Sequence, residues 1–148
     1  DGEIAYMIPH DTLYCPDHFK NCQLPATPIN NKLAFGFSVP GTHYFPMQFF
    51  EAKYVLTADP FPLTHVNDPK NEMSHKLNEM FLAVRDEYFA LEETFDMGNG
   101  TTFTIWRRTV APTRAEVEYY LSAFTEEDAK YPEMFSQVAE NWLAARGL

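Results

Sequence analysis

The sequence predicts a single α/β domain on the basis of three observations. The chain has 148 residues, the usual size of one domain with one core. Short apolar runs typical of strands are followed by amphipathic segments with a helical period. Its hydrophobic fraction of 45% and charged fraction of 22% are those of an ordinary globular protein. We therefore expect residues 1–148 to form a three-layer αβα sandwich with a mixed, mainly parallel sheet, ending in a β-hairpin followed by two helices.

The first half of the chain predicts short elements joined by turns, because nine of the eleven prolines lie within the first 69 residues. Strands are expected at residues 4–8 and 33–39, and a short helix at residues 16–22. Residues 53–58 are the best candidate for a buried strand, since this run is rich in strand formers and stops at Asp59-Pro60.

A long helix is predicted after this strand. Asp68 can act as its N-cap, with Pro69 at the first helical position. The apolar residues that follow fall on one helical stripe. They are Met73, Leu77, Met80, Phe81 and Val84.

A hairpin is predicted next, with arms at residues 94–97 and 101–107. The intervening Gly98-Asn99-Gly100 contains the Asn-Gly pair that supplies the positive φ angles of a tight turn. A strand, a helix and a strand in this order imply a right-handed parallel crossover to the first arm. The second arm is then expected to add antiparallel.

Two helices are predicted to finish the chain. Thr113 and Glu116 form a capping box, in which the hydroxyl and the carboxylate each satisfy a free backbone amide. The last helix begins near Pro132 and stops at Arg146-Gly147. The residues expected to face the core are Val117, Tyr120, Leu121 and Phe124 of the first helix and Phe135, Val138, Trp142 and Leu143 of the second.

The charge of the chain argues against one class of partner, and its aromatic content allows another. Asp and Glu number 21 against 11 Lys and Arg, giving a net charge of −10 that repels phosphate backbones. We therefore expect no nucleic-acid partner. The 13 Phe, 8 Tyr and 2 Trp favour an aromatic core, with exposed rings that stack on a sugar as the alternative.

Two features concern the origin of the chain. No apolar run approaches the roughly 20 residues needed to cross a bilayer. The first residues, Asp1-Gly2-Glu3, contain neither an initiator Met nor a signal-peptide pattern. We therefore expect an excised part of a longer protein, soluble when isolated.

Cys15 and Cys22 form a possible disulfide. On one continuous helix their Cα atoms would lie roughly 10 Å apart, so a disulfide requires a turn between them. Free thiols remain the alternative. Metal binding by the pair is less expected, because zinc sites favour closer spacing and a second pair of ligands.

Candidate ligand-binding residues lie around the end of the predicted buried strand. Open α/β sheets bind ligands outside the carboxyl ends of their strands. The segment from Asp59 to His65 offers a carboxylate, the Phe61 ring and an imidazole in one stiff loop. His43 and Tyr44 complete the candidate set. The alternative is that Asp59 braces the strand end while the prolines fix the turn.

The sequence contains no recognisable catalytic constellation. Ser38, His43 and Asp59 could be assembled into a triad, but no nucleophile elbow surrounds Ser38. The turn at Gly98-Asn99-Gly100 lacks the glycine patterns of nucleotide-binding loops. Arg107-Arg108 is expected to be a solvated strand end, with anion binding as the alternative. We expect no cofactor and no metal, since the early His and Asp residues lack a ligand spacing. These are His10, Asp11, Asp17 and His18.

Two stretches resemble a known family. The run from Lys53 to Pro60 with His65 after it, and the run from Phe95 to Arg108, resemble the soluble C-terminal region of bacterial membrane glycosyltransferases of the dolichyl-phosphate-mannose mannosyltransferase-like (GT-C) type. In that family an extracytoplasmic α/β domain follows a multi-helix membrane part. A strand of the domain ends in Asp-Pro, and a later hairpin closes on Asn-Gly or Asp-Gly. The similarity covers about residues 53–125, with a weaker similarity at residues 1–19.

The resemblance implies a location on the extracytoplasmic face of the cell membrane and a role in assembling a cell-surface glycan. It implies two partners, the transmembrane portion of the parent protein and a glycan acceptor. It places no catalytic residue here, because the family's catalytic acidic residues lie in loops of the membrane part. We therefore expect a non-catalytic accessory domain of a membrane glycosyltransferase. A free-standing carbohydrate- or peptide-binding module is the alternative, and a small hydrolase is less favoured.

Overall fold

The computed structural model describes residues 3–9, 33–35, 45–62, 69–127 and 132–148. Within these ranges the strands are β1 (Ile4–Met7), β2 (Leu33–Phe35), β3 (Ala52–Asp59), β4 (Phe89–Asp96) and β5 (Thr102–Arg108). The helices are α1 (Met47–Glu51), α2 (Pro69–Tyr88), α3 (Arg114–Glu127) and α4 (Pro132–Arg146). The helix predicted at residues 16–22, the strand residues 36–39 and the Asp68 cap lie outside the described residues.

The described strands form one open, mixed sheet in the order β2-β1-β3-β5-β4. β1 pairs parallel with β2 and with β3. β5 lies between β3 and β4 and pairs antiparallel with both. The mixed α/β character is therefore confirmed, and only β5 runs against the other described strands. Of the hydrogen-bonded ladders, however, as many are antiparallel as parallel.

β3 and β4 run parallel to each other, because both pair antiparallel with β5, but the first hairpin arm begins earlier than predicted. β5, the second arm, lies beside β3, with Tyr54 opposite Arg107 and Asp59 opposite Thr102. β4 lies at the outer edge of the sheet and begins at Phe89, five residues before the predicted arm. The reason is burial. β5 is buried or half-buried along its whole length, whereas β4 is exposed from Leu91 onward, so β5 takes the inner position.

All four described helices pack on one face of the sheet. They share a single hydrophobic cluster with Tyr6 of β1 and Val55 of β3. A second, small cluster of Met7, Ala58 and Phe103 lies on the opposite face, because successive side chains of a strand point to opposite sides. No described helix contributes to that second cluster. The described residues thus form a helical layer on a sheet, and the third layer stays a prediction.

Aromatic rings occupy the centre of the main cluster, as the composition favoured. Phe49 of α1 is fully buried, and its ring lies 5.1 Å from Tyr120, 5.6 Å from Tyr6 and 6.1 Å from Phe81, measured between centroids. Such pairs add to the free energy gained from apolar burial. The sequence analysis did not predict α1, which has only five residues and no side-chain cap. Tertiary burial of its phenylalanines stabilises it instead.

The turn between β4 and β5 also differs in one detail. Gly98 and Gly100 have φ angles of 74° and 85°, whereas Asn99 does not have a positive φ. The Asn99 side chain instead accepts a hydrogen bond from the Thr101 amide over 3.1 Å. Gly98 donates its amide to the Asp96 carboxylate over 2.8 Å. The glycines therefore provide the left-handed conformations, and the Asx side chains hold the connection.

The predicted core face of α4 is wrong at one position. Val138 is 39% exposed, and Ala139 is fully buried in its place. Phe135, Ala139 and Trp142 follow one another at intervals of four and three residues, which places them on the face that packs on the sheet and α3. Val138 is the larger of the two residues and was expected in the core, but the side of the helix on which each residue lies decides which one is buried.

The capping box of α3 is half confirmed. The Glu116 amide donates to the Thr113 hydroxyl over 3.1 Å, as predicted. The Glu116 carboxylate, however, accepts two hydrogen bonds from the Arg108 guanidinium, of 2.9 and 3.1 Å. The two side chains are 0% and 8% exposed. Glu116 therefore ties the start of α3 to the end of β5.

Arg108 is not the solvated residue that the sequence predicted. Its guanidinium lies 4.4 Å from the centre of the Phe89 ring, and its Nε donates to the Ala52 carbonyl over 3.3 Å. Arg107, its neighbour, points the other way and forms a surface ion pair with Glu92. The alternation of the strand separates the two arginines, and the partner on α3 makes burial of Arg108 favourable.

We expect Arg108→Met to lower the free energy of unfolding by about 3 kcal/mol, because it leaves the buried Glu116 carboxylate without a partner. Urea unfolding measures the change. Arg114→Met is the matched control, since Arg114 also forms two hydrogen bonds to a glutamate, Glu140, but at the surface. The control should leave the unfolding midpoint nearly unchanged. Equal losses in both variants would contradict the assignment of Arg108 as a buried anchor.

A second prediction concerns alkaline pH. Burial, and then the Glu116 carboxylate, raise the pKa of Tyr120 above its ordinary value. Its hydroxyl has no hydrogen-bond partner among the described residues. In the unfolded chain this phenol ionises near pH 10, while in the folded chain it stays neutral. The folded state therefore binds the extra proton, and stability is lost as pH rises above about 10.

Tyr120→Phe should reduce this loss of stability. A difference of one bound proton between the folded and unfolded states changes the free energy of unfolding by about 1.4 kcal/mol per pH unit. It should also leave stability at pH 7 unchanged or higher, because the unpaired hydroxyl is removed. Urea unfolding between pH 7 and 11 measures both effects. Tyr119→Phe, at an exposed neighbour, is the control. An unchanged alkaline slope in Tyr120→Phe would refute the prediction.

Candidate functional site

The candidate site lies at the carboxyl end of β3. Asp59 is the last residue of this strand, is exposed, and pairs with Thr102 at the start of β5. A cis peptide bond joins it to Pro60. The carboxylate is therefore accessible at the carboxyl ends of the strands, where open α/β folds bind ligands. This placement is the one that the sequence predicted.

Phe61, the second predicted residue, is half-buried beside a residue that the sequence analysis missed. Its ring centroid lies 4.3 Å from that of His75 in α2, with the planes inclined at 56°. Phe61 also packs against the main hydrophobic cluster. Part of each ring remains accessible, so the pair offers an apolar surface with an imidazole beside the Asp59 strand end.

His75 had no signal in the sequence that could have identified it. It lies within a predicted helix, between two residues of the apolar stripe, and no motif surrounds it. Only the return of α2 past the residues that follow β3 brings the imidazole to Phe61.

Asn78 adds an unusual polar group to this region. It lies one turn beyond His75 on α2, is 7% exposed, and its amide oxygen has no hydrogen-bond partner among the described residues. Buried amide oxygens are nearly always paired. An unpaired buried acceptor one turn from the half-buried His75 is a position where a buried water can donate a hydrogen bond.

The remaining candidates cannot be placed. His43, Tyr44 and His65 lie outside the described residues, as does the possible disulfide of Cys15 and Cys22. The same holds for Ser38 and for the early residues His10, Asp11, Asp17 and His18. These positions remain sequence predictions. Among the described residues, the structure brings Phe61, two residues along the chain from Asp59, into contact with His75.

Two further findings describe the chemistry of the described part. No group of three or more His, Cys, Asp or Glu residues in those ranges could hold a metal ion. In the same ranges, no helix combines the length and the apolarity needed to span a membrane.

A groove of about 530 Å³ lies at the opposite, amino end of β3, and its walls include Phe50, Pro112 and Trp142. Its polar groups bind one another. Glu51 accepts a 3.1 Å hydrogen bond from the Trp142 indole and pairs with Arg146, whose guanidinium lies 4.0 Å from the Trp142 ring centre. Because this guanidinium and carboxylate are already paired, the groove is less suited to a polar ligand than the Asp59 edge.

Comparison of the chain with protein-family models, with curated proteins and with solved structures found no match. The function must therefore be argued from the residues and their geometry.

We expect Asn78→Leu to raise the free energy of unfolding by about 1 kcal/mol, because a side chain of similar size replaces an unpaired buried amide. Thermal or urea unfolding measures the gain. Asn141→Leu is the control, since Asn141 is exposed and bonds to Gln137 on the surface of α4. A loss of stability in Asn78→Leu would show that the amide already has a partner in the unliganded chain.

Proposed function

We propose that this chain is a non-catalytic accessory domain of a membrane glycosyltransferase on the extracytoplasmic face of the cell membrane. In this proposal the edge formed by Asp59, Phe61 and His75 binds the glycan acceptor. The partner is the transmembrane portion of the parent protein, which performs the chemistry.

The pairing of β3 with β5 is the observation that carries this proposal. The two stretches that resemble the GT-C family lie far apart in the sequence, one in β3 and the other from the end of β4 through β5. They pair side by side from Tyr54 opposite Arg107 to Asp59 opposite Thr102. Two segments that each resemble the GT-C family and that pair in one sheet support a fold shared with that family more strongly than two isolated turn motifs would.

The chemistry of the edge supports carbohydrate binding. The Asp59 carboxylate is exposed and accepts hydrogen bonds, and sugar hydroxyls donate them. The accessible parts of Phe61 and His75 offer a surface against which the apolar face of a sugar ring packs. Binding sites combine few polar groups with an apolar wall in this manner.

The three-layer arrangement belongs to the same proposal. Met7, Ala58 and Phe103 are buried on the sheet face to which no described helix contributes. A covering layer on that face would complete the αβα sandwich.

The acceptor-binding part is tested with soluble oligosaccharides of six mannose, glucose or N-acetylglucosamine residues, titrated into the ¹⁵N-labelled chain. We expect saturable shifts of the Asp59 and His75 amides with at least one probe. Asp59→Ala should weaken that binding about tenfold, through loss of charged hydrogen bonds. Glu87→Ala removes an exposed carboxylate about three turns beyond His75 on α2 and should leave binding unchanged.

Binding to Asp59→Ala as tight as to the unchanged chain, or no binding of any of the three probes, would overturn the acceptor site. The parent assignment has a separate test, the gene sequence upstream of the Asp1 codon. We expect it to encode a series of transmembrane helices, and an upstream sequence without them removes the glycosyltransferase assignment.

A further inference from the structure

β4 presents an uncovered edge of the sheet. It is the last strand in the described order, and β5 is its partner there. Every residue from Leu91 to Gly100 is exposed. An irregularity between Leu91 and Glu93 interrupts the ladder, so the regular part of this edge runs from Glu93 to Asp96. An exposed edge strand offers unpaired backbone groups to another strand.

The hydrogen-bond pattern identifies the groups that face outward. The Met97 amide donates to the Thr101 carbonyl over 3.0 Å, which closes the ladder at the turn. In an antiparallel pair, residues that bond to the partner strand alternate with residues whose backbone groups point away. Thr94 and Asp96 therefore direct their N–H and C=O groups to the open side.

Apolar side chains flank this edge on both faces of the sheet. Leu91 is 59% exposed and lies on the face of Trp106, its cross-strand partner. Phe95 is 42% exposed and lies on the other face, opposite Phe103. A strand added to the edge would meet an apolar side chain on each face.

The charge of the edge selects the chemistry of the added strand. β4, residues 89–96, contains three carboxylates and neither Lys nor Arg. Glu92 pairs with Arg107, but Glu93 has no ion-pair partner among the described residues. A second copy of this chain would bring a strand of the same negative charge to this edge, and repulsion between like charges opposes such pairing. A basic strand meets the same edge favourably.

We propose that the β4 edge from Glu93 to Asp96 binds an extended polypeptide segment in which Lys or Arg residues alternate with apolar residues. The segment adds to the sheet beyond β4 through the outward backbone groups of Thr94 and Asp96. This surface is distinct from the Asp59 edge and does not depend on the acceptor-binding proposal.

The probe is a blocked octapeptide of alternating lysine and valine. Its charge-matched control has two of the valines replaced by proline, which cannot donate to a ladder. Hydrogen exchange of the full chain should slow at the Thr94 and Asp96 amides with the first peptide only. Raising the salt concentration from about 0.02 M to about 0.5 M should weaken binding, because salt screens the attraction between exposed charges.

Two variants of the chain complete the test. Thr94→Pro removes an outward N–H and leaves the hydrogen bonds to β5 in place. It should weaken peptide binding at least about tenfold, because one hydrogen bond to the added strand is lost and the bonds next to it are disturbed. Thr94→Val keeps the N–H and is its control. Glu93→Lys should weaken binding about fivefold. Glu133→Lys makes the same charge change on α4 and should change binding by less than about twofold.

Equal binding of the proline-containing peptide would show attraction by charge alone and overturn the proposal. So would unchanged binding by both Thr94→Pro and Glu93→Lys when their ¹⁵N spectra show the native fold. A concentration-dependent dimer in which the same two amides are protected would assign the edge to a second copy and would overturn it as well.

Discussion

The buried ion pair of Arg108 and Glu116 is the interaction on which the arrangement of the domain depends. Arg108 ends β5, packs on the Phe89 ring that begins β4, and bonds to the Ala52 carbonyl that begins β3. Glu116 lies in the first turn of α3. One guanidinium thus joins three strands and a helix, and its desolvation is offset only when all of these are in place.

This anchor lies at one end of β3, and the candidate site lies at the other. Arg108 and the aromatic rings around Phe49 hold the amino end of the strand within the core. Asp59, at the carboxyl end, is exposed and lies two residues before Phe61, whose ring contacts His75 of α2. The division matches the usual separation in α/β proteins between a packed interior and loops that carry binding groups. The strand therefore positions an accessible carboxylate on a rigid support.

The two proposed binding surfaces use different features of the same sheet. The Asp59 edge offers the side chains of Asp59, Phe61 and His75 near the strand end. The β4 edge offers backbone groups along the side of the sheet and acidic side chains around them. Acidic residues on an edge strand also prevent self-pairing, which keeps such a surface available to a partner of opposite charge. If both proposals hold, the two surfaces are separate and the domain contacts a glycan and a polypeptide at different places.

Local sequence patterns determined the element types in the regular half of the chain. Helical periodicity predicted α2, α3 and α4, because apolar residues recur at the spacing that lines one helix face. Strand-forming residues before Asp59-Pro60 predicted β3 and its end, and the glycine-rich turn predicted two adjoining strands. These patterns depend only on neighbouring residues, so they also located the Asp59 candidate. They could not predict α1, whose five residues form a helix only because Phe49 is buried.

Only the tertiary structure decided which elements are neighbours. Strand patterns do not encode order, and β5 rather than β4 lies beside β3 because β5 is the strand whose side chains are covered. From the sequence, an arginine at a strand end is expected to be exposed. Arg108 is buried because Glu116, on a helix that follows the strand, pairs with it. His75 becomes a site residue only through its contact with Phe61. Local composition sets what each segment forms, whereas contacts between distant segments decide burial, pairing and the site.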